Sequence, residues 1–326
     1  MNNFKKIGLT ALAASLVSVS ANAGSMSVAG SASLNVEGFS GEELNAGKAY
    51  TMSDQLTFTG SGELDNGLTV SLSFVQDNGE STFDSHSLTI SSDAMGTLKF
   101  NGEGGTTAAN NIDGTAAGDI WDKFDGLTNA SAQTGNGLAT TDSVTATAGD
   151  NSFIYTSPEV MEGLTLVGSY APQASTAETR ASGTGIGINY TGIEGLTLKY
   201  AKADIVNSTK DLSGESTVMF ASYAYGPVTV KISEMEGDLD TADKSYEISS
   251  ASISYTVSDE LSLTYGMEDA EQEGASADAE YESISLSYVT GGMTISAGMH
   301  EAENANFGTG SNEDIEKWTL GASFAF

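Results

Sequence analysis

The sequence predicts an all-β fold, a 16-stranded antiparallel transmembrane β-barrel. Three observations carry this expectation. Apolar and polar residues alternate strictly, run after run. The connections between the runs are by turns short and long. The chain, although strongly acidic, ends on the alternating run KWTLGASFAF, with Phe326 as its last residue. Period two is the signature of a strand with one apolar and one polar face. An aromatic at a fraying chain end gains little in water, but at a bilayer interface it is favourable.

The N-terminus sets the compartment. MNNFKK supplies Lys5 and Lys6, IGLTALAASLVSV is an apolar run, and ANA at Ala21–Ala23 offers small residues to a signal peptidase. The run is too short to span a bilayer, which needs about 20 apolar residues, so residues 1–23 read as a cleaved signal peptide and 24–326 as the mature barrel. No other stretch is apolar enough for a membrane helix. Cys is absent, so the exported chain has no disulfide framework. Of the 12 Lys and Arg residues two lie in the signal, leaving ten against 44 Asp and Glu, a net charge of −34. That sign excludes a nucleic-acid binder and favours attraction of cations.

Sixteen runs alternate, roughly at 26–36, 53–64, 67–77, 83–92, 97–102, 151–158, 163–171, 183–191, 195–203, 215–225, 227–235, 246–257, 260–269, 280–289, 292–301 and 315–326. LTVSLSF sets Leu68, Val70, Leu72 and Phe74 against Thr69, Ser71 and Ser73. LTLKY sets Leu196, Leu198 and Tyr200 against Thr197 and Lys199. Two runs are irregular: in 215–225 neither parity wins, and in 246–257 the apolar parity shifts between Ile248 and Ala251, as a bulge would produce. DNG at 65–67, DAMG at 93–96, TGIEG at 191–195 and GP at 226–227 suit tight hairpins. The alternate connections, among them 37–52, 103–150 and 236–245, are mostly long, acidic and polar. Short turns at one end and long loops at the other, with an even strand number, is the layout of an outer-membrane barrel.

The apolar faces carry Leu, Val, Ile and Phe, with Tyr170, Tyr190, Tyr200, Tyr265 and Tyr288 near run ends, as in a membrane girdle. The opposite faces are Ser, Thr, Gly and scattered charge. In the last run Trp318, Leu320, Ala322, Phe324 and Phe326 share one face, and this strand is expected to pair with MSVAGSASLNV and close the ring. The rival from another class is a secreted acidic β-rich adhesin or surface-layer protein. It accounts for the export signal and the acidity, but poorly for the alternating connections and the terminal Phe.

The export signal, the hairpin LTFTGSGELDNGLTVSLSF, the long fifth connection, AGDNSFIYTSP after it and the terminal LGASFAF resemble a bacterial outer-membrane general-diffusion porin of the sixteen-stranded α-proteobacterial type. The resemblance implies a passive, water-filled channel for small hydrophilic solutes and ions, no enzymatic activity, a homotrimer in outer-membrane lipid, and a third loop folded into the lumen.

The residues support such a loop independently, since 103–150 is too long for an idle connection. Within it AAGDIWDKFDGLTN offers Asp119 as the cap of a short helix, with Ile120, Trp121, Phe124 and Leu127 to pin it to the wall. Asp113, Asp119, Asp122 and Asp125 would supply the acidic side of a constriction. By parity Lys99, Lys199 and Lys231 face inward, while Arg180 falls in an outer loop near the mouth; in the porin family a basic cluster opposes the acidic loop, and for each lysine ordinary wetting of the lumen is the other reading. Ten basic residues make a thin ladder, which suggests cation preference.

His86 and His300 are the only histidines. No thiolate or zinc cluster is possible without Cys, and nothing in the sequence beside either His suggests a Ser-His-Asp triad. GTGIG at 183–187 lies in an alternating run with no helix after it, unlike a nucleotide loop. No cofactor is expected, although EGDLDTAD at 236–243 could hold Ca²⁺ weakly.

Overall fold

The computed structural model describes residues 24–41, 48–77, 85–103, 108, 115–124, 151–172, 182–206, 213–240, 245–305, 307, 309 and 314–326. The strands are β1 Ser25–Gly41, β2 Lys48–Glu63, β3 Thr69–Asp77, β4 Ser85–Ser92, β5 Gly96–Glu103, β6 Ser152–Thr156, β7 Leu164–Ala171 and β8 Ser182–Ile193. They continue as β9 Leu196–Val206, β10 Gly214–Tyr225, β11 Val228–Leu239, β12 Tyr246–Thr256, β13 Leu261–Gln272, β14 Ala279–Thr290, β15 Met293–Glu303 and β16 Ile315–Ala325. Each strand pairs with its sequence neighbours, and β1 pairs with β16, so the sheet is a closed antiparallel barrel of 16 strands. Closure gives every ladder a partner and leaves no unpaired edge for lipid to meet.

The terminal run does the closing. The Phe326 amide donates to the Gly30 carbonyl at 2.9 Å, and the Gly30 amide donates to the Phe326 carbonyl at 2.8 Å. A methyl on Gly30 would strike the Phe326 ring, and one on Gly38 would strike the Trp318 indole, so the two aromatic rings lie over notches that glycine leaves in β1. The tight connections are made where the sequence placed turn residues. Gly96 and Gly195 both hold φ at 75°, a left-handed conformation that suits glycine.

The apolar parity faces outward: Leu198, Ile232, Ile253, Leu263, Ile284 and Leu320 are all exposed on the outer wall. Near the short-turn end this belt is edged by Tyr190, Tyr223, Tyr255, Tyr288 and Phe324, at the level of a membrane interface. The opposite parity, rich in Ser, Thr and Gly, faces inward.

Several strands run beyond their expected ends. β1 reaches Gly41 and β2 starts at Lys48, so much of 37–52 is ladder rather than loop. β11 reaches Leu239, which puts Glu236 and Asp238 on a strand and not in the expected loop. Above the lipid belt the pattern inverts: outward carboxylates such as Glu236 and Glu247 alternate with inward Met235 and Ile248, so the apolar-outward parity ends although backbone pairing continues. The bulge expected in 246–257 is absent: β12 pairs in unbroken register with β11 and β13. Ile248 breaks the pattern because its inward side chain is buried in an apolar cluster inside the barrel. The register shifts fall instead between His86 and Ser87 and between Tyr190 and Ile193.

Candidate functional site: the inner wall and the segment packed on it

Residues 115–124 lie against the inner wall, and the wall is built to receive them. Val218, Met235, Tyr246, Ile248, Tyr281 and Ile315, from β10, β11, β12, β14 and β16, form an apolar patch on an otherwise Ser/Thr-rich face. Ile120, Trp121 and Phe124 are buried against it, with the Phe124 and Tyr281 ring centroids 5.8 Å apart. Trp121–Phe124 is a single turn of 3-10 helix. This patch also explains why neither parity wins in 215–225, where Val218 and Phe220 point in while Met219 and Tyr223 point out.

Polar contacts fix the segment in register. The Ala116 amide donates to Ser233 Oγ at 2.7 Å and the Ala117 amide to Ser250 Oγ at 2.9 Å. Ser252 Oγ donates to the Ala116 carbonyl at 2.6 Å. The buried carboxylate of Glu268 accepts from the Thr115 hydroxyl and, at 2.9 Å, from the Trp121 amide. A buried carboxylate with such donors satisfies backbone groups that water cannot reach. At the far end Lys317 Nζ donates to the Lys123 carbonyl at 2.8 Å, lies 3.0 Å from Glu37 Oε2, and sits 5.0 Å above the Phe39 ring centre.

The expected site residues fall as follows. Asp119 closes a local turn, accepting from the Thr115 amide at 2.8 Å while its own amide donates to Thr115 Oγ1 at 2.9 Å. Asp122 is exposed on the 3-10 turn. Lys99, Lys199 and Lys231 occupy inward positions of β5, β9 and β11, with Lys199 Nζ 5.8 Å from the Phe220 ring centre. Trp318, Leu320, Phe324 and Phe326 are on the outer wall. Asp113, Asp125, Leu127 and Arg180 lie outside the described residues, as do the proposed signal 1–23 and most of 103–150.

Glu268 and Lys317 were missed as functional residues, yet parity finds both: Glu268 alternates against Met267 and Lys317 against Trp318. His300 was set aside on sequence. Its Nδ1 lies 2.8 Å from Ser283 Oγ, and its Nε2 lies 3.3 Å from Thr319 Oγ1. A hydroxyl stands where a triad needs the orienting carboxylate. Among the described residues no group of three His, Asp or Glu side chains could hold a metal ion.

Much of the chain's acidity is on the outside of the barrel. Glu236, Glu247 and Glu271 are register neighbours across β11–β13. So are Asp269, Glu280 and Glu303 across β13–β15, and Glu282, Glu301 and Glu316 across β14–β16. All nine are exposed, on the parity of the apolar belt but nearer the long-loop end.

Sixteen-stranded barrels of this kind are found among solved structures. The anion-selective porin from Comamonas acidovorans superposes with a TM-score of 0.71 at 14% identity, covering 93% of this chain and 99% of that one. OmpF of Salmonella typhi, in complex with daunomycin, gives 0.69 at 13%, covering 94% and 99%. OmpT of Vibrio cholerae gives 0.65 at 13%, covering 94% and 99%. At such identities the likeness is one of fold. No curated protein matches the chain in sequence. The model of the Gram-negative porin family matches residues 8–326, and the chain therefore belongs to that family, as a channel-forming barrel of the outer membrane.

Proposed function

We propose that the protein is a cation-preferring channel for the passive diffusion of small hydrophilic solutes and ions, made as a precursor with residues 1–23 as its cleaved signal. The observation that carries this reading is the segment 115–124 seated on a Ser/Thr-rich inner wall by Ser233, Ser250, Ser252 and Glu268. The connection 103–150 is then the constriction, and the rest of the wall, lined by small hydroxyl side chains, holds a water column. The secreted-adhesin alternative loses to the closed barrel and its apolar outer belt.

Cation preference is supported by charge. The mature chain carries −34, and the carboxylate rows around the long-loop end raise the local concentration of cations at the entrance. Against this stand the inward lysines, of which Lys317 is neutralised by Glu37. The anion-selective Comamonas porin shares the fold, and its selectivity is its own. A homotrimer is supported by the family and by a trimeric form of the Vibrio cholerae OmpT structure. The transport cycle uses no cofactor, and any Ca²⁺ bound by the acidic loops is a weakly held counter-ion.

The test is planar-bilayer conductance of the refolded protein under a salt gradient. Current steps grouped in threes, with a reversal potential on the cation side that shrinks as salt is raised, support the reading. A reversal potential on the anion side overturns the ion preference, and single steps overturn the trimer. Protein that stays in solution without detergent and conducts nothing overturns the channel.

A further inference from the structure

A shallow trough of about 760 Å³ crosses β9–β14, and the parity of its lining places it on the outside of the barrel. Each strand contributes a three-residue stretch, such as Ile232, Ser233 and Glu234 or Met267, Glu268 and Asp269. The middle residue of each stretch points into the lumen and the flanking two point outward. Ala221, Ser249 and Ala251 make the floor, because their small side chains leave the sheet bare between larger neighbours.

The trough climbs. Leu198 stands opposite Ala221, and the register then runs through Ile232, Ala251 and Met267 to Glu282. Leu198 is close to the short-turn end of β9, whereas Glu282 lies much farther from the short-turn end of β14. Strand tilt of about 35–45° makes such a row rise obliquely through the bilayer. Its low end is Leu198, Tyr200 and Met219, within the apolar belt, and its high end is Asp269, Glu280 and Glu282. Six strands at about 4.8 Å spacing give it a length of about 24 Å, the scale of an extended alkyl chain with its headgroup.

We infer that this trough is a docking site for an outer-leaflet amphiphile that has a single alkyl chain and a cationic amine headgroup. The chain lies over Ala221 and Ala251 in the lipid belt, and the ammonium sits among Asp269, Glu280 and Glu282. Charge complementarity selects the occupant. No outward-pointing residue of the lining is basic, so an anionic headgroup in the same place meets only carboxylates. The inference rests on the outer wall facing lipid and is independent of ion preference and of the constriction.

The experiment is native mass spectrometry of the refolded protein released from neutral maltoside micelles. The micelles are doped equally with hexadecyl amphiphiles carrying a primary ammonium, a phosphate or a glucoside head. The expected result is retention of the ammonium amphiphile at least about tenfold over the phosphate. Ala251→Trp and, separately, Ser249→Leu are expected to abolish that retention by filling the floor. Asp269→Asn combined with Glu280→Gln and Glu282→Gln is expected to remove the preference for the ammonium head. Bilayer conductance of the same samples shows that each variant is folded, and separates a failure here from a failure of the channel reading. Equal retention of ammonium and phosphate heads overturns the inference, as does retention unmoved by both floor-filling variants. Retention of the phosphate amphiphile on adding Ca²⁺, without retention of the ammonium one, overturns it in favour of a cation-bridged anionic lipid.

Discussion

Leu198 and Thr197 are chain neighbours on opposite faces of one strand, so they meet different solvents. Leu198 is exposed on the outer wall, and Thr197 points into the barrel. An arginine at a lipid-facing position costs roughly 2–4 kcal/mol at the bilayer midplane, and little where water reaches it. Leu198 pairs with Tyr190 at the interfacial edge of the belt, where that cost falls to about 0–1 kcal/mol. Leu198→Arg is therefore expected to lose up to about 1 kcal/mol in reversible unfolding from lipid vesicles, and Thr197→Arg less. Equal losses would reverse the facing of the whole sheet. A second residue-scale prediction concerns the seam. Gly38→Val pushes a side chain into the Trp318 indole. Trp318 is one of only two tryptophans, and in a Trp121→Phe background its emission is expected to shift as the ring leaves its notch.

At the scale of the element, the inner segment is held by one buried carboxylate more than by any other single group. Glu268→Ala removes the acceptor for the Trp121 amide and for the Thr115 hydroxyl. A buried donor left without a partner costs about 1–3 kcal/mol. That is enough to loosen the segment while the sixteen-strand ladder stays intact. The expected readout is unchanged folding, by heat-modifiable electrophoretic mobility, with noisier and larger single-channel currents. Glu268→Gln keeps an amide oxygen for Trp121 and is expected to recover most of the quiet current. Quiet channels in the alanine variant would mean that the apolar cluster around Phe124 and Tyr281 alone seats the segment.

At the scale of the whole molecule, carboxylates face carboxylates across neighbouring strands. Glu236 opposes Glu247, Asp269 opposes Glu280, and Glu301 opposes Glu316. Like charges directly opposite one another destabilise an antiparallel pair. Surface repulsion is screened by salt, whose Debye length falls from about 30 Å at 0.01 M to about 3 Å at 1 M. Stability in detergent is therefore expected to rise with NaCl over that range. Glu247→Gln combined with Glu280→Gln and Glu301→Gln is expected to flatten the dependence. A wild-type unfolding midpoint indifferent to salt would mean that the rows do not strain the barrel. The outward ion pair Lys202–Glu215, at 2.8 Å and well exposed, is expected to contribute little beside them.

The division between sequence and structure follows from what each pattern depends on. Local polarity alone determined the strand number, the order of short and long connections, the outward face of Leu198 or Leu320 and the closure through Phe326. A strand between lipid and water must alternate, and a barrel in lipid must close. That logic reached Lys99, Lys199 and Lys231 as well, because parity needs no knowledge of neighbours. It failed at Ile248 and Val218, which are apolar on the water side. Their partner, the segment around Trp121, is more than ninety residues away in the chain and meets them only in the closed barrel. It failed again above the lipid belt, where carboxylates take the outward positions and the alternation inverts, so the apolar-outward pattern ends before the ladder does. The carboxylate rows and the upper end of the oblique trough belong to that region. Only strand register sets Glu282 beside Glu301, or brings Ala221 and Ala251 onto one floor, and register is a property of the assembled sheet.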